Sequence, residues 1–111
     1  MKLRYTPPAI ADLQEIQSYI SNALHNPAAA NRIIKLILEN CAHLKLHPAL
    51  GMSLSEKTGE NTDLRYLLCG QYLALYRIED DFISVARILS GRTDYMRILF
   101  DQEPEKHNIQ N

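Results

Sequence analysis

The fold is decided by residues 64–89, LRYLLCGQYLALYRIEDDFISVARIL. Three runs in this stretch are rich in the apolar, β-branched and aromatic residues that strands prefer. The runs are residues 64–69, 72–78 and 82–89. Only two or three residues separate each run from the next, at Gly70-Gln71 and at residues 79–81. Because short connections join antiparallel neighbours, the sequence predicts a three-stranded antiparallel meander.

Two helices are predicted before the meander. Apolar residues recur at helical spacing over about residues 7–24, and Thr6 is placed to cap the first turn. Asn26 and Pro27 are suited to begin a second helix, whose apolar stripe continues to Leu44. So short a turn between two helices favours an antiparallel helix hairpin.

The order of these elements predicts the fold class. Residues 2–5 alternate polar and apolar side chains, so a short N-terminal strand precedes the hairpin. Strands and helices in separate blocks indicate an α+β fold, with the helices packed on one face of the sheet. Residues 52–63 are polar and are expected to form a loop. We predict one domain over residues 1–100, followed by a polar, flexible tail over residues 101–111.

Composition limits the classes of function. Twelve basic residues face 13 acidic ones, for a net charge of −1, so any positive patch must be local. Cys41 and Cys69 lie far apart in apolar stretches, which favours buried thiols in a reducing cytosol over a metal site. No signal peptide is visible and no apolar run approaches about 20 residues. We therefore expect a cytoplasmic protein with no cofactor, no metal and no membrane contact.

Five short motifs occur in order along the chain. They are Ala-x-x-Asp-Leu-x-x-Ile from Ala9, His-Pro-x-x-Gly from His47, Leu-Arg at Leu64, Tyr-x-x-x-Tyr-Arg-Ile from Tyr72, and Ile-x-Val-x-Arg-Ile-Leu from Ile83, which runs on to Gly-Arg-x-Asp at Gly91. Each motif is short, but their order and spacing are fairly specific. In this arrangement the chain resembles the RelE/ParE toxin superfamily over roughly residues 3–100.

The resemblance implies the toxin component of a type II toxin–antitoxin pair, as in plasmid stabilisation systems. Its partner would be a cognate antitoxin, through which alone it would meet operator DNA. ParE-like toxins bind DNA gyrase and are not known as enzymes, whereas RelE-like toxins are ribosome-dependent mRNA interferases, which are endoribonucleases. A third alternative is a non-toxic module that only binds the antitoxin and acts as a co-repressor. The resemblance leaves open whether the protein is an enzyme.

The chain departs from the RelE type in three places. The loop before the first meander strand places Lys57 among acidic residues, in place of a lysine cluster. Leu73 stands where RelE-like chains often carry arginine, and Leu99 or Phe100 stands near the position of their C-terminal tyrosine. Binding inside ribosomal RNA also favours a strongly basic protein, which this chain is not. The ParE type, with growth inhibition through DNA gyrase, is therefore the favoured interpretation.

Basic residues on the strands and just after them are the candidate site residues. The target-binding candidates are Arg65, Arg77, Arg87, Arg92, Tyr95 and Arg97. No catalytic residue is assigned for the ParE type. For the RelE type, basic groups and a tyrosine would activate the ribose 2′-OH and stabilise phosphate charge, so the catalytic candidates are Arg65, Arg87, Arg92 and Tyr95. A structural alternative for the strand arginines is pairing with the acidic turn at residues 79–81.

Overall fold

Five strands and four α-helices make up residues 1–92 and 95–100, the part of the chain that the computed structural model describes. They are β1 (Lys2–Tyr5), α1 (Pro7–Ser18), α2 (Pro27–Ala42), β2 (Met52–Ser53), α3 (Leu54–Thr58), β3 (Arg65–Cys69), β4 (Tyr72–Ile78), β5 (Phe82–Ser90) and α4 (Tyr95–Phe100). This order confirms the predicted α+β fold, with its N-terminal strand, helix pair and meander. No helix in the described ranges combines the length and the apolar character needed to cross a membrane.

The strands form one sheet in the order β1-β5-β4-β3-β2. The meander β3-β4-β5 is antiparallel throughout, as predicted, and β2 extends it antiparallel to β3. Strand β1 lies on the other edge and pairs in parallel with the first half of β5, from Phe82 to Val85. The second half of β5 therefore extends beyond the end of β1.

A side-chain hydrogen bond caps the N-terminus of each long helix. The Thr6 hydroxyl accepts a hydrogen bond from the Ala9 N–H (3.2 Å), and the Asn26 side chain accepts one from the Ala29 N–H (3.1 Å). Proline follows each cap, where its missing N–H has no helical partner to lose. Helix α1 continues as a π-helical turn over Tyr19–Ala23, so the helical segment ends close to the predicted residue 24.

Both faces of the sheet are buried. The helix hairpin covers one face, where Ile37 and Cys41 of α2 pack with Ala74 and Tyr76 of β4. The opposite face carries a second cluster, formed by Leu54, Leu64, Leu73, Leu75 and Leu89 with Leu99 and Phe100 packed against it. Burial on both faces explains why β4 is apolar along nearly its whole length.

The prediction of a plain loop over residues 52–63 was wrong. Met52 and Ser53 pair with β3, and a single helical turn, α3, follows. The Ser53 hydroxyl caps this turn by accepting from the Glu56 N–H (3.2 Å), and Leu54 is completely buried on the second face. Two strand residues and one helical turn are too short to show a periodic pattern, so neither element could be predicted from the sequence.

The C-terminal helix α4 was also not predicted. It follows β5 and brings Leu99 and Phe100 against the second face. The expectation of a flexible tail over residues 101–111 lies outside the described residues.

Tyr76 holds the turn that precedes β2 through two hydrogen bonds to the backbone of that turn. Its buried hydroxyl accepts from the Gly51 N–H (2.9 Å) and donates to the Pro48 carbonyl (2.7 Å). The His-Pro-x-x-Gly motif is therefore held against the centre of the sheet by one side chain of β4. This contact fixes where the chain leaves the helix hairpin and enters the sheet.

The two cysteines are free and buried, as predicted. They lie in the core on α2 and β3, where hydrogen bonding to Cys41 and burial raise the pKa of Cys69. A raised pKa keeps the Cys69 thiol protonated and a poor nucleophile.

Candidate functional site

A β-bulge in β5 changes the expected placement of Arg87. Tyr76 lies opposite Val85 and Leu75 lies opposite Arg87, so Ala86 is an additional residue in β5. Strand alternation predicts that Arg87 lies on the same face of the sheet as Val85. That prediction was wrong, because the bulge shifts the alternation by one residue. The bulge is held from outside the sheet, since the Thr6 hydroxyl donates to the Ala86 carbonyl (2.9 Å).

Arg87 is engaged by Asp12 of helix α1. The guanidinium donates from Nε to Asp12 Oδ2 (2.7 Å) and from Nη2 to Oδ1 (3.0 Å), which is a two-point ion pair. Only 29% of the Arg87 side chain and 13% of the Asp12 side chain are exposed. Hydrogen bonding to Asp12 raises the pKa of Arg87 above its ordinary value.

Asp12 also accepts a hydrogen bond from the backbone at the edge of β5. Its Oδ2 accepts from the Ile88 backbone N–H (2.9 Å), on the part of β5 that extends beyond β1. The carboxylate thus replaces the carbonyl that a longer β1 would supply. The Asp of the Ala-x-x-Asp-Leu-x-x-Ile motif therefore joins α1 to the sheet.

Arg65 on β3 is held by the turn before β2. Its Nη2 donates to the Gly51 carbonyl (2.6 Å) and, at 3.4 Å, to the Ala49 carbonyl. Within the ranges that the structure describes, its buried Nε has no acceptor. Arg65 lines an open cleft of about 460 Å³ together with Glu56 and Lys57. This cleft carries both signs of charge.

Arg77, near the end of β4, is paired with Asp63. Its Nε lies 3.2 Å from both carboxylate oxygens, in an exposed setting. The suggested partners at residues 79–81 were wrong for Arg77 and Arg87, since Asp63 and Asp12 take those places. Glu79 of the acidic turn pairs instead with Arg4 (3.0 Å).

Replacing Arg77 by alanine is expected to change the free energy of unfolding by no more than about 0.5 kcal/mol, because exposed ion pairs contribute little. Urea titration monitored by circular dichroism measures this change, with Asp63→Ala as the matched variant. A loss several times larger in both variants would show that the pair holds the loop before β3 in place.

The remaining candidates follow the last strand. Arg92 is exposed, and its backbone N–H donates to the Ser90 hydroxyl (3.2 Å). Arg97 lies on the exposed side of α4. Tyr95 begins α4, but its side chain lies outside the described residues.

A groove beside the turn that joins the two helices of the hairpin was not predicted from the sequence. We define this hairpin groove by Tyr19, Leu24, Leu36, Tyr72 and Arg92, which line a cavity of about 630 Å³. Tyr19 and Leu24 are more than half exposed, at 58% and 54%. A second cavity of about 550 Å³ shares Tyr19 and Tyr72 and continues along β5 to Arg87. No sequence signal marks the groove, because the helix end, the β3–β4 turn and residue 92 meet only in the folded chain.

The sheet arginines therefore do not act as one group. Arg65, Arg77 and Arg87 are held by three different parts of the chain, namely the turn before β2, the loop before β3 and helix α1. Arg92 lies elsewhere, in the hairpin groove. Among residues 1–92 and 95–100, no group of three or more His, Cys, Asp or Glu side chains is placed to hold a metal ion.

Comparison with known proteins identifies the family. The sequence model described as "ParE toxin of type II toxin-antitoxin system, parDE" matches residues 3–95. The chain belongs to this ParE toxin family. The match extends from β1 to the start of α4, so it includes every element that forms the sheet and the hairpin groove. A search of the curated proteins gives no match.

Solved structures show the same fold. The ParE-family chain is similar to the chromosomal ParDE toxin–antitoxin system from P. aeruginosa, with a TM-score of 0.69 and 24% identity over 81% of this chain and 95% of that chain. It is also similar to the RelBE2 toxin–antitoxin complex from Mycobacterium tuberculosis, with a TM-score of 0.60 and 22% identity over 80% and 95% of the two chains. ParE-type and RelE-type toxins thus share this fold, and the fold alone does not select the target.

Proposed function

We propose that this toxin arrests bacterial growth by binding DNA gyrase, and that a cognate antitoxin neutralises it in the cytoplasm. The choice of gyrase as the target rests on one observation, that the strand arginines are hydrogen-bonded within the toxin. Arg65, Arg77 and Arg87 all donate to groups of the toxin itself. A toxin that acts by binding does not need these side chains to be free.

Cleavage of mRNA makes a different demand. Without a metal ion, positioned basic groups must activate the ribose 2′-OH and stabilise the charge that develops on the phosphate. Arg87 could turn toward a phosphate only by leaving the two-point pair with Asp12. That exchange would leave a carboxylate with 13% exposure without its counter-charge, which is costly. This cost argues against the RelE-type reaction.

Target binding is assigned to the segment that follows the sheet. We propose that Arg92, Tyr95 and Arg97 contact gyrase, because Arg92 and Arg97 are exposed after the last strand and Tyr95 lies between them in the sequence. Arg92 is exposed, and its guanidinium has no ion-pair partner within the described ranges. An exposed arginine that no intramolecular carboxylate holds can bind a partner without first breaking a contact of its own.

The antitoxin is proposed to occupy the hairpin groove. Two similar solved structures come from toxin–antitoxin systems, which supports an antitoxin as a partner, and the lining of the groove supports its place. The groove offers exposed Tyr19 and Leu24 to an apolar segment and Arg92 to an acidic side chain. A segment bound there would cover Arg92, so neutralisation follows from competition for that residue.

Inducible expression in a bacterium tests the proposal. With the toxin alone, we expect DNA synthesis to fall before protein synthesis, with filamentation, and co-expression of the neighbouring gene should restore growth. With purified gyrase, the toxin should increase cleaved DNA. Arg92→Ala should weaken that effect about tenfold or more, as expected for an arginine at an interface. Arg32→Ala is the matched control, because Arg32 is an exposed arginine on α2 that does not line the groove.

Two other results would replace the proposal. If protein synthesis falls first and messages are cut on the ribosome, the toxin is an mRNA interferase, and Arg65 or Arg87 must then leave its intramolecular partners. If soluble protein has no effect on growth, the chain is an antitoxin-binding co-repressor module.

A further inference from the structure

The outer edge of β3 is open beyond the short strand β2. Strand β2 pairs only with Arg65 and Tyr66, through Ser53 and Met52. In the described part of the chain, no segment pairs with the outer edge of residues 67–69. Three residues of β3 therefore have a strand neighbour, β4, on one side only.

The backbone of Leu68 points out of this edge. The Leu64 carbonyl accepts from the Leu54 N–H (3.0 Å) on the β2 side. Backbone groups in a strand alternate between its two neighbours, so Tyr66 and Leu68 also direct their N–H and C=O to that side. The hairpin turn agrees, because Cys69 and Tyr72 close a two-residue connection and so bond to each other. Among residues 1–92 and 95–100, the outward-facing N–H and C=O of Leu68 therefore have no backbone partner.

Apolar side chains surround the open edge. We define the β3 edge surface by Leu36, Leu50, Met52 and Leu68, whose exposed fractions are 41%, 50%, 62% and 63%. Leu50, Met52 and Leu68 line one cavity of about 280 Å³, and no charged residue lines it. Leu36 of α2 approaches Gly70, directly after the edge residues. Natural edge strands are commonly protected by charge, proline or a bulge, and this surface uses none of these.

We propose that the β3 edge surface pairs with the same surface of a second copy of this chain. Around a two-fold axis at Leu68, the two edges would run antiparallel and join two five-stranded sheets into one. Each Leu68 would donate its N–H to the other Leu68 carbonyl, so both unused groups in each copy would be satisfied.

The absence of charged residues from the cavity beside Leu68 favours a second copy of the chain as the occupant. The cavity beside Leu68 is lined by no charged residue, so two copies meet there without repulsion, and the net charge of −1 adds little long-range repulsion. The charged residues Glu56, Lys57 and Arg65 line the neighbouring cleft, which carries both signs of charge and so favours neither an acidic nor a basic partner. An antiparallel strand pair is also complementary to itself around a two-fold axis, so no second kind of surface is needed.

The proposed dimer is weak. Strand β2 occupies the edge beside Tyr66, so pairing is confined to the few residues around Leu68. An interface of that extent falls below the roughly 1,200 Å² of a standard stable complex, and such contacts associate in the micromolar range. The toxin should therefore exchange between monomer and dimer as its concentration changes.

Sedimentation velocity tests the pairing on the full chain made by cell-free synthesis. Between about 5 and 500 µM the toxin should shift from monomer to dimer. Leu68→Lys should raise the dissociation constant about tenfold or more, because two like charges would face each other across the axis. Ile10→Lys is the matched control, since Ile10 is an exposed apolar residue (45%) on α1, which packs on β5 away from this edge. It should leave the dissociation constant unchanged.

Hydrogen exchange at the Leu68 amide supplies a second readout. In the wild type its protection should rise with protein concentration, and in Leu68→Lys it should not. A toxin that stays monomeric up to the highest concentration would overturn the proposal, as would a dimer unaffected by Leu68→Lys. If the wild type is monomeric and Leu68→Lys weakens binding of the antitoxin, the edge belongs to the antitoxin and the second-copy proposal fails. None of these outcomes depends on the growth and gyrase assays, so the two proposals can fail separately.

Discussion

Replacing Gly51 by alanine is expected to destabilise the toxin by about 3 kcal/mol or more, the upper range for overpacking combined with a lost buried hydrogen bond. A Cβ at residue 51 would lie 2.5 Å from the Tyr66 carbonyl oxygen and 2.7 Å from the Tyr76 ring. The backbone angle φ of −79° suits any residue, so the cost is steric. Because the Tyr66 oxygen belongs to β3 and Tyr76 is completely buried, neither can move without disturbing the sheet.

Urea unfolding of matched variants measures this cost. Gly59→Ala is the control, because Gly59 has a φ of +81° and open space where a Cβ would stand. Its cost should be about 1 kcal/mol, which is the penalty for a left-handed backbone alone. Tyr76→Phe should cost about 2 kcal/mol, since it leaves the Gly51 N–H without its acceptor. A Gly51→Ala variant no less stable than Gly59→Ala would show that the turn can move away from β3 and β4.

Replacing Asp12 by alanine is expected to cost about 3 kcal/mol, as for removal of one partner from a largely buried ion pair. The substitution leaves both the Arg87 guanidinium and the Ile88 N–H without their acceptor. Asp12→Asn should cost less than Asp12→Ala, because an amide oxygen can still accept from one of the two donors. Arg87→Ala should also destabilise the toxin, through the loss of the same pair.

A double-mutant cycle separates structure from chemistry at this pair. The coupling between Asp12→Ala and Arg87→Ala should reach about 1.5 kcal/mol or more, measured by urea unfolding. Growth arrest by Arg87→Ala should fall only as far as its stability falls, and it should return at lower temperature. If Arg87→Ala unfolds like the wild type but no longer arrests growth, Arg87 acts on the target, and the RelE-type reaction regains support.

Most of the fold could be predicted because its signals are local. The caps at Thr6 and Asn26 act within one helical turn, and the two-residue connection at Gly70-Gln71 sets the pairing of its own strands. Such signals need only neighbours in sequence, so the helix hairpin and the meander were both predicted. The single turn α3 and the helix α4 were missed because each buries a few leucines or a phenylalanine without repeating a pattern.

The candidate site was predicted less completely. The sequence identified Arg65, Arg77 and Arg87 as strand arginines, but their partners were assigned wrongly or left open. Arg87 pairs with a residue 75 positions away, and its direction depends on one additional residue in β5. No spacing rule within either segment predicts that contact.

The sequence by itself determined the α+β class and the order of the N-terminal strand, the helix hairpin and the meander, because caps, turns and periodicity act over a few residues. The order and spacing of five short motifs carried the resemblance to the family. Only the tertiary structure decided which arginines are engaged, where the hairpin groove lies and which edge stays open. The physical reason is distance along the chain. An ion pair between α1 and β5, or an edge left uncovered by a two-residue strand, depends on how far separate segments extend once they are packed together.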